Sequence, residues 1–182
     1  MVFNIRIENI VASTSLGEKI KLEKIFESAE GMEYEPEQFP GLVYRIDKPK
    51  AAALIFSSGR VICTGARSEE EVEEIFKKVA RVIKKAGIEI KKDYKIEIEN
   101  IVASVKFDSK LNLDTIAFNL ENSEYEPEQF PGLVYRMDQP KVAFLLFSSG
   151  KLICTGGRNV KDIKAAIEKI YSKLKSIRAF VK

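Results

Sequence analysis

The chain contains the stretch YEPEQFPGLVYR twice, from Tyr34 to Arg45 and again, without one change, from Tyr125 to Arg136. Outward from this stretch, other motifs recur at the same offset of 91 residues (125 − 34). They are NIVAS at Asn9 and Asn100, FSSG at Phe56 and Phe147, and ICTG at Ile62 and Ile153. Two copies without a gap are too few for a solenoid. The sequence therefore predicts two repeats, residues 1–91 and 92–182, related as a pseudo-two-fold pair.

The strand pattern of each repeat is typical of an antiparallel meander. Apolar residues alternate at Phe3, Ile5 and Ile7, which indicates a half-buried strand at the start. Further along, β-rich runs separated by turn residues predict three more strands. In the first repeat these runs are residues 41–47, 51–56 and 60–64.

Two helices are predicted in each repeat. The short helix runs from about Lys19 to Ala29 in the first repeat, with Ile25, Phe26 and the final alanine facing inward. In the second repeat Asn112 caps the matching helix. The long helix of the first repeat begins at Ser68, which is followed three residues later by a glutamate as in a capping box. Both helices of a repeat present one apolar stripe, so we expect them to cover one face of the sheet.

The strands carry apolar residues on both faces, although a sheet covered on one side should be polar on the other. If Cys63 faces the helices, the period of two places Ile62 and Thr64 on the opposite face. An apolar patch of this size usually marks an interface. The alternative is that a second layer of structure covers this face, although both helices of each repeat already cover the opposite face.

Composition excludes several classes of protein. The chain has no histidine, and its two cysteines stand in identical ICTG contexts, which indicates buried, reduced thiols and neither a metal pair nor a disulfide. We therefore expect no metal, no cofactor and no catalytic residue. No run approaches the roughly 18 apolar residues of a membrane span, and no secretory signal precedes the first strand, so a cytoplasmic location is expected.

The net charge of +3 is small, and its distribution is uneven. The first repeat has 15 basic and 15 acidic residues, while the second has 15 and 12. Basic residues recur at matched strand ends, which predicts a basic rim around the apolar face. An ordinary solvated surface is the alternative, and common ancestry of the repeats explains part of the match.

The duplicated NIVA, EPEQFPGLVYR and FSSG motifs resemble those of the TATA-binding protein family over the whole chain. The chain looks like an archaeal member, because a long N-terminal extension is missing and the first loop reads FPG like the second. The resemblance implies an α+β fold: a pseudo-two-fold saddle of two repeats, with a curved ten-stranded antiparallel sheet and four helices on the convex face. It also implies a transcription initiation factor that binds the minor groove of a TATA box and bends the DNA.

The same resemblance assigns residues to the DNA interface, position by position. The intercalating wedges match Phe39, Phe56, Phe130 and Phe147. Base contacts match Asn9, Asn100, Thr64, Thr155, Val11, Val102, Leu54, Leu145, Ile62 and Ile153. Phosphate contacts match Arg45, Lys50, Ser58, Arg60, Arg67, Arg136, Lys141, Ser149, Lys151 and Arg158. Minor-groove acceptors hardly distinguish A·T from T·A, so such contacts should separate A·T from G·C and little more.

Partners other than A·T-rich duplex DNA follow from the resemblance too. Glu126 and Glu128 match the acidic loop that recruits transcription factor B, and through it the RNA polymerase pre-initiation complex. The first repeat carries the same acidic loop at Glu35 and Glu37, so the sequence leaves the preferred loop and the orientation on DNA open; solvated loop acids without a partner are the alternative. A homodimer of the DNA-free chain is left open as well. A carrier of a flat apolar ligand would need an enclosed pocket, and an enzyme would need a polar cluster.

Overall fold

The computed structural model describes residues 2–182 and contains, within them, four helices and a ten-stranded antiparallel sheet. The fold class expected from the sequence is therefore confirmed. The helices are α1 (Leu22–Ser28), α2 (Glu69–Lys85), α3 (Leu113–Asn119) and α4 (Val160–Ser176). The strands are β1 (Arg6–Ser15), β2 (Met32–Glu33), β3 (Leu42–Ile46), β4 (Ala51–Ile55), β5 (Arg60–Ala66), β6 (Glu97–Lys106), β7 (Lys110–Leu111), β8 (Ser123–Glu124), β9 (Leu133–Met137), β10 (Val142–Leu146), β11 (Lys151–Gly157) and β12 (Phe180–Val181). The strand order of the large sheet is β2-β3-β4-β5-β1-β6-β11-β10-β9-β8, and β7 pairs with β12 separately.

The chain divides into two compact units whose limits fall inside β1 and β6. The first unit comprises Asn9–Glu99, and the second unit combines the residues up to Glu8 with Asn100–Lys182. The predicted repeats, residues 1–91 and 92–182, are units of sequence. The compact units differ from the repeats because the first residues of β1 belong to the second unit and the first residues of β6 belong to the first unit.

The first unit is built on the predicted meander of β3, β4 and β5. Leu54 on β4 lies opposite Val43 on β3 and Ile62 on β5, and β1 joins the outer side of β5. The alternate side chains of β4 and β5, including Ala53 and Cys63, are completely buried under α2. The three predicted strands are confirmed to within two residues at their ends.

Helix α2 begins and ends as its sequence predicts. The Ser68 hydroxyl accepts a hydrogen bond from the Glu71 amide (3.1 Å), and three glutamates occupy the first turn, where the helix dipole favours negative charge. Gly87 follows the helix with a φ of +82°, a conformation that favours glycine. The buried side of the helix carries Val72, Ile75, Phe76, Val79, Ala80 and Ile83.

Two predictions for the first repeat are wrong in detail. Helix α1 is shorter than expected, and Phe26 is 43% exposed because Leu22 and Ile25 fill the inward positions of its two turns. Strand β1 begins at Arg6 and not at Phe3. The Phe3 ring packs instead on the rings of Phe107 and Tyr171, with centroids 5.8 and 5.1 Å apart.

The second unit repeats this plan and adds features that the sequence analysis did not predict. Asn112 caps α3 by accepting from the Thr115 amide (3.1 Å). The added strands β7 and β12 place Phe180 opposite Leu111, and the Phe180 ring joins the aromatic cluster of Phe107 and Tyr171. None of the helices within residues 2–182 is both long and apolar enough to cross a lipid bilayer.

Candidate nucleic-acid interface

Each unit has an apolar face on the side of its strands that the helices leave uncovered. In the first unit Val43, Leu54 and Ile62 form a cross-strand row of half-buried side chains. Their neighbours along the strands, such as Ala53 and Cys63, are completely buried. The alternation of fully buried and half-buried residues confirms the predicted period of two and leaves an apolar surface in contact with solvent.

The second unit has the matching row of Val134, Leu145 and Ile153. Val102 lies opposite Thr155 and is half-buried like them. Most of the predicted base-contact residues are thus brought onto these two faces, one set in each unit. Val43 and Val134 were not predicted for this face, although alternation within the repeated stretch would have placed them there.

An asparagine and a threonine form a hydrogen-bonded pair on each face. The Asn9 amide donates to Thr64 Oγ1 (3.1 Å), and the Asn100 amide donates to Thr155 Oγ1 (3.2 Å). The other side of each asparagine is held by the backbone, because Oδ1 accepts from the Gly65 amide (2.6 Å) or from the matching glycine amide of the second unit (2.7 Å). Each asparagine therefore keeps one amide hydrogen for a ligand acceptor. Each threonine hydroxyl donates to the same asparagine Oδ1 over a long distance (3.4 and 3.5 Å), and it can turn from that oxygen to a ligand acceptor.

The predicted wedge residues lie in two aromatic pairs. The Phe39 and Phe56 rings meet edge to face with centroids 5.8 Å apart, and the Phe130 and Phe147 rings do so at 6.0 Å. Phe39 and Phe130 are 39% and 42% exposed, which is unusual for so large an apolar side chain. Both rings of the first pair lie against Gly41, where an added Cβ would be 2.8 and 3.0 Å from their Cε1 atoms. Glycine at this position lets the two rings approach each other.

The predicted phosphate contacts are all exposed, and their ionic partners differ between the units. In the first unit Arg45 lies 3.4 Å from Glu33, and Arg60 lies 3.6 Å from Glu99. Within residues 2–182 no carboxylate lies within 4.0 Å of the matching Arg136 and Lys151. The exposed set comprises Arg45, Lys50, Ser58, Arg60, Arg67, Arg136, Lys141, Ser149, Lys151 and Arg158.

Two carboxylates that the sequence analysis missed lie beside the apolar faces. The Ser13 hydroxyl donates to Glu99 (2.7 Å), and the Ser104 hydroxyl donates to Glu8 (2.8 Å). Both serines are at least 92% buried, and each lies opposite an isoleucine of its apolar row. The sequence signal that could have identified them is a glutamate directly before each NIVAS motif.

The acidic loop of the second unit projects into solvent. Glu126 and Glu128 are exposed, and the amides of Gln129 and Phe130 both donate to the Glu126 carbonyl (2.9 and 3.0 Å). This single turn connects the acidic residues directly to Phe130, one of the predicted wedge residues. The first unit has the same turn, in which the amides of the matching residues donate to the Glu35 carbonyl.

The two cysteines have the properties of core residues. Cys63 and Cys154 are completely buried and free. Burial raises the pKa of Cys63 to about 11 and that of Cys154 to about 12. A thiol with so high a pKa is protonated at neutral pH and is a poor nucleophile.

The chain matches a family model described as "Transcription factor TFIID (or TATA-binding protein, TBP)" twice, over residues 4–86 and 95–177. It is 49% identical over 174 residues to the TATA-box-binding protein of Methanobrevibacter smithii, covering 96% of each chain. It is 51% identical over 173 residues to that of Pyrodictium occultum, covering 95% of this chain and 87% of the relative.

A solved structure is similar over nearly the same extent. The TBP of Methanococcus jannaschii has a TM-score of 0.90 and 50% sequence identity, with 94% of this chain and 98% of that chain covered. Both matches to the family model include one NIVAS motif, one repeated stretch and one ICTG motif. The chain therefore belongs to the TATA-binding protein family of transcription factors.

Proposed function

We propose that the chain is a general transcription initiation factor that binds the minor groove of an A·T-rich promoter element and bends the DNA. The observation that carries this proposal is the pair of hydrogen-bond donors held within an apolar face, once in each unit. In the first unit the pair is Asn9 and Thr64, and in the second it is Asn100 and Thr155.

The donor pairs match the chemistry of the minor groove. A·T and T·A pairs present only acceptors there, adenine N3 and thymine O2, whereas a G·C pair adds the guanine amino donor. Because each asparagine oxygen is occupied by a glycine amide, the asparagine can offer only its amide hydrogens to the DNA. An apolar row beside each pair gives a guanine amino group no acceptor, so burying that group would cost free energy. The proposed readout is therefore A·T against G·C.

The phenylalanine pairs are suited to the proposed bending. TATA-binding proteins are themselves the standard example of apolar side chains that enter the minor groove, unstack a base step and kink the duplex. Here the exposed rings of Phe39 and Phe130 are each supported by a second ring. Such support favours insertion of an aromatic pair as a unit, because the first ring cannot fold back onto the protein.

The exposed basic residues around each face would hold phosphates. We propose that Arg45, Arg60, Arg136 and their neighbours in the exposed set position the duplex without reading its sequence. Ser58 and Ser149 each accept from a backbone amide in the turn before a basic residue, and their hydroxyl hydrogens point to a further role as phosphate donors. Binding should weaken steeply with salt as counterions are released.

Recruitment of further factors is proposed for the acidic loop of the second unit. Glu126 and Glu128 are exposed and unpaired among the described residues, and they would bind basic side chains of transcription factor B. That factor would then bring RNA polymerase to the promoter. The loop is linked by one turn to Phe130, so DNA binding and partner binding would occupy adjoining parts of the chain.

A gel-shift comparison tests the DNA part of the proposal. The protein should bind an A·T-rich duplex at least tenfold more tightly than a G·C-rich duplex of equal length, and the bound A·T-rich duplex should be bent when the site is permuted along the fragment. Phe147→Ala should reduce both affinity and bending. Equal binding of the two duplexes, or a straight bound duplex, would contradict the minor-groove proposal.

A further inference from the structure

The two acidic loops are identical in sequence, but the helices beside them differ. Each loop follows a tyrosine, Tyr34 in the first unit and Tyr125 in the second. Helix α1 lies beside the first tyrosine, and α3 lies beside the second. Any partner that chooses between the loops must therefore use residues outside them, and these helices carry the nearest differences.

In the first unit two side chains of α1 contact the tyrosine. The Tyr34 hydroxyl donates to the Glu23 carboxylate (3.4 Å). One turn further along α1, the Phe26 ring lies 6.2 Å from the tyrosine ring. A carboxylate and an aromatic ring thus lie against Tyr34, which is half-buried like Tyr125.

In the second unit the matching residues of α3 are smaller. Asp114 stands in place of Glu23 and Ala117 in place of Phe26, and within the described chain Tyr125 has no counterpart of the hydrogen bond made by Tyr34. A cavity of about 530 Å³ lies here. Its walls include Asn112, Leu113, Asp114, Tyr125, Ser148 and Lys110.

The aromatic residue that α1 places beside its tyrosine is shifted by one position on α3. Phe118 follows Ala117 and is 90% exposed, whereas the matching residue of α1 is Glu27. Phe118 lies four residues after Asp114, so the two side chains share one face of the helix. An aromatic side chain this exposed, on the helix face that it shares with the cavity-lining Asp114, is typical of an anchor at a protein interface.

The charges around this surface indicate the chemistry of its occupant. Asp114 borders the cavity, Glu121 and Glu124 are exposed on the segment that follows α3, and the acidic loop begins directly after Tyr125. Lys110 is the one basic residue among the described residues that line the cavity. A segment with basic and apolar side chains complements such a surface.

We propose that Phe118, Tyr125 and Asp114 form a docking surface for a basic and apolar segment of the same protein partner that contacts Glu126 and Glu128. This surface, and not the loop itself, makes the partner select the second unit. The inference rests on the proposed recruitment of transcription factor B through the acidic loop.

Exchange of residues between the helices tests the inference. The variant Ala117→Phe/Phe118→Glu gives α3 the residues that α1 has at these positions. Its binding to A·T-rich DNA should stay within twofold of the unsubstituted chain, while the affinity of recombinant transcription factor B for the DNA complex should fall about tenfold or more. The matched control, Phe26→Ala/Glu27→Phe on α1, should leave that affinity within twofold. An unchanged affinity of the α3 variant, or an equal loss in both variants, would overturn the inference.

A second variant distinguishes failure of the docking surface from failure of the proposed recruitment through the acidic loop. Glu126→Arg/Glu128→Arg should abolish binding of transcription factor B if the acidic loop recruits it. If this variant loses the factor while Ala117→Phe/Phe118→Glu retains it, the docking surface is wrong and the loop proposal stands. If the loop variant retains the factor, the recruitment proposal itself fails. Thermal melts of both variants establish that the substituted chains are folded.

Discussion

Asn9 and Asn100 are each held by a backbone amide that donates to the side-chain oxygen, so their free amide hydrogens have a defined direction. The glycine amides that hold them come from Gly65 and Gly156, whose φ values of +109° and +106° place them in a conformation that favours glycine. The pairing of β1 with β5 shifts register between Ile10 and Ala12, where β5 contains Gly65, and the pairing of β6 with β11 shifts at Gly156. A bulge in the sheet is thus what orients each donor.

Substitution of one asparagine by aspartate should separate its two roles. Asn100→Asp retains an acceptor for the Gly156 amide but removes the amide donor and adds a negative charge. One good base contact contributes about 1–3 kcal/mol, so affinity for an A·T-rich duplex should fall ten- to a hundredfold in a gel shift. Asn119→Asp, on α3, makes the same chemical change elsewhere and should alter affinity less than twofold. A comparable loss in the two variants would refute a specific role for Asn100.

The cysteine thiols should not react with thiol reagents in the folded protein. A pKa raised to about 11 for Cys63 and about 12 for Cys154 means that the thiolate is scarce below pH 9, the ordinary pKa of the thiol. Because the pKa is higher in the folded than in the unfolded chain, the contribution of the thiols to the free energy of unfolding is fully present below pH 9. It is lost as the pH rises through 11, because the unfolded chain ionises first. Titration with an aromatic disulfide reagent at pH 8 should label no thiol in buffer and two in denaturant. Rapid labelling of the native protein would contradict the burial of these residues.

At the scale of elements, the loop before β9 and the turn after β10 meet through one glycine. An added Cβ at Gly132 would lie 2.9 Å from Cε1 of both Phe130 and Phe147. The alanine variant must push the rings apart, because contacts this short do not occur between relaxed atoms. Gly132→Ala should therefore reduce DNA bending and weaken binding by about tenfold, with permuted-site gel shifts as the measurement. Gly17→Ala, whose nearest neighbour is 3.9 Å away, should leave both properties unchanged.

The packing of α2 on the first-unit strands should dominate local stability. Phe76 is completely buried in this layer, so Phe76→Ala should lower the free energy of unfolding by about 3–5 kcal/mol in denaturant titrations. Phe118→Ala removes a ring of the same size from a 90% exposed site. It should change the free energy of unfolding by less than about 0.5 kcal/mol. Similar losses in the two variants would show that Phe118 is packed in solution.

At the scale of the whole molecule, the two repeats differ in net charge, and the basic residues of the two units differ in whether they form ion pairs. Arg45 forms an ion pair with Glu33, and this pair would have to break before Arg45 could bind a phosphate. An exposed ion pair stabilises by about 0–1 kcal/mol, so the resulting bias is a few-fold at most. We expect the second unit to hold phosphates slightly more firmly than the first.

The salt dependence of DNA binding measures this difference. Arg136→Ala should lower affinity on all duplexes alike and reduce the slope of log K against log salt by about 0.9, the value for one phosphate contact. Arg45→Ala should lower the slope equally but reduce affinity less, since its carboxylate partner already competes with DNA. A change of slope confined to A·T-rich duplexes would contradict a phosphate role for either residue.

The local patterns of the sequence were sufficient for much of the fold. The period of two predicted which residues of β4 and β5 share a face, and the Ser68 and Asn112 caps predicted where two helices begin. These features depend on neighbours within a few residues, and local chain geometry decides them. The two-residue strands were not predicted, because a pair of residues is too short to show a period.

Positions that depend on distant parts of the chain were decided only by the tertiary structure. The hydrogen bonds of Ser13 to Glu99 and of Ser104 to Glu8 join residues 86 and 96 positions apart. The contact of Phe26 with one tyrosine and the exposure of Phe118 depend on how two short helices of different sequence pack beside identical loops. The sequence by itself determined that there are two copies, with apolar faces, paired phenylalanines and acidic loops. The difference between the copies on which the proposed docking surface rests is decided by side chains that meet only after the chain has folded, because packing joins residues that no local period relates.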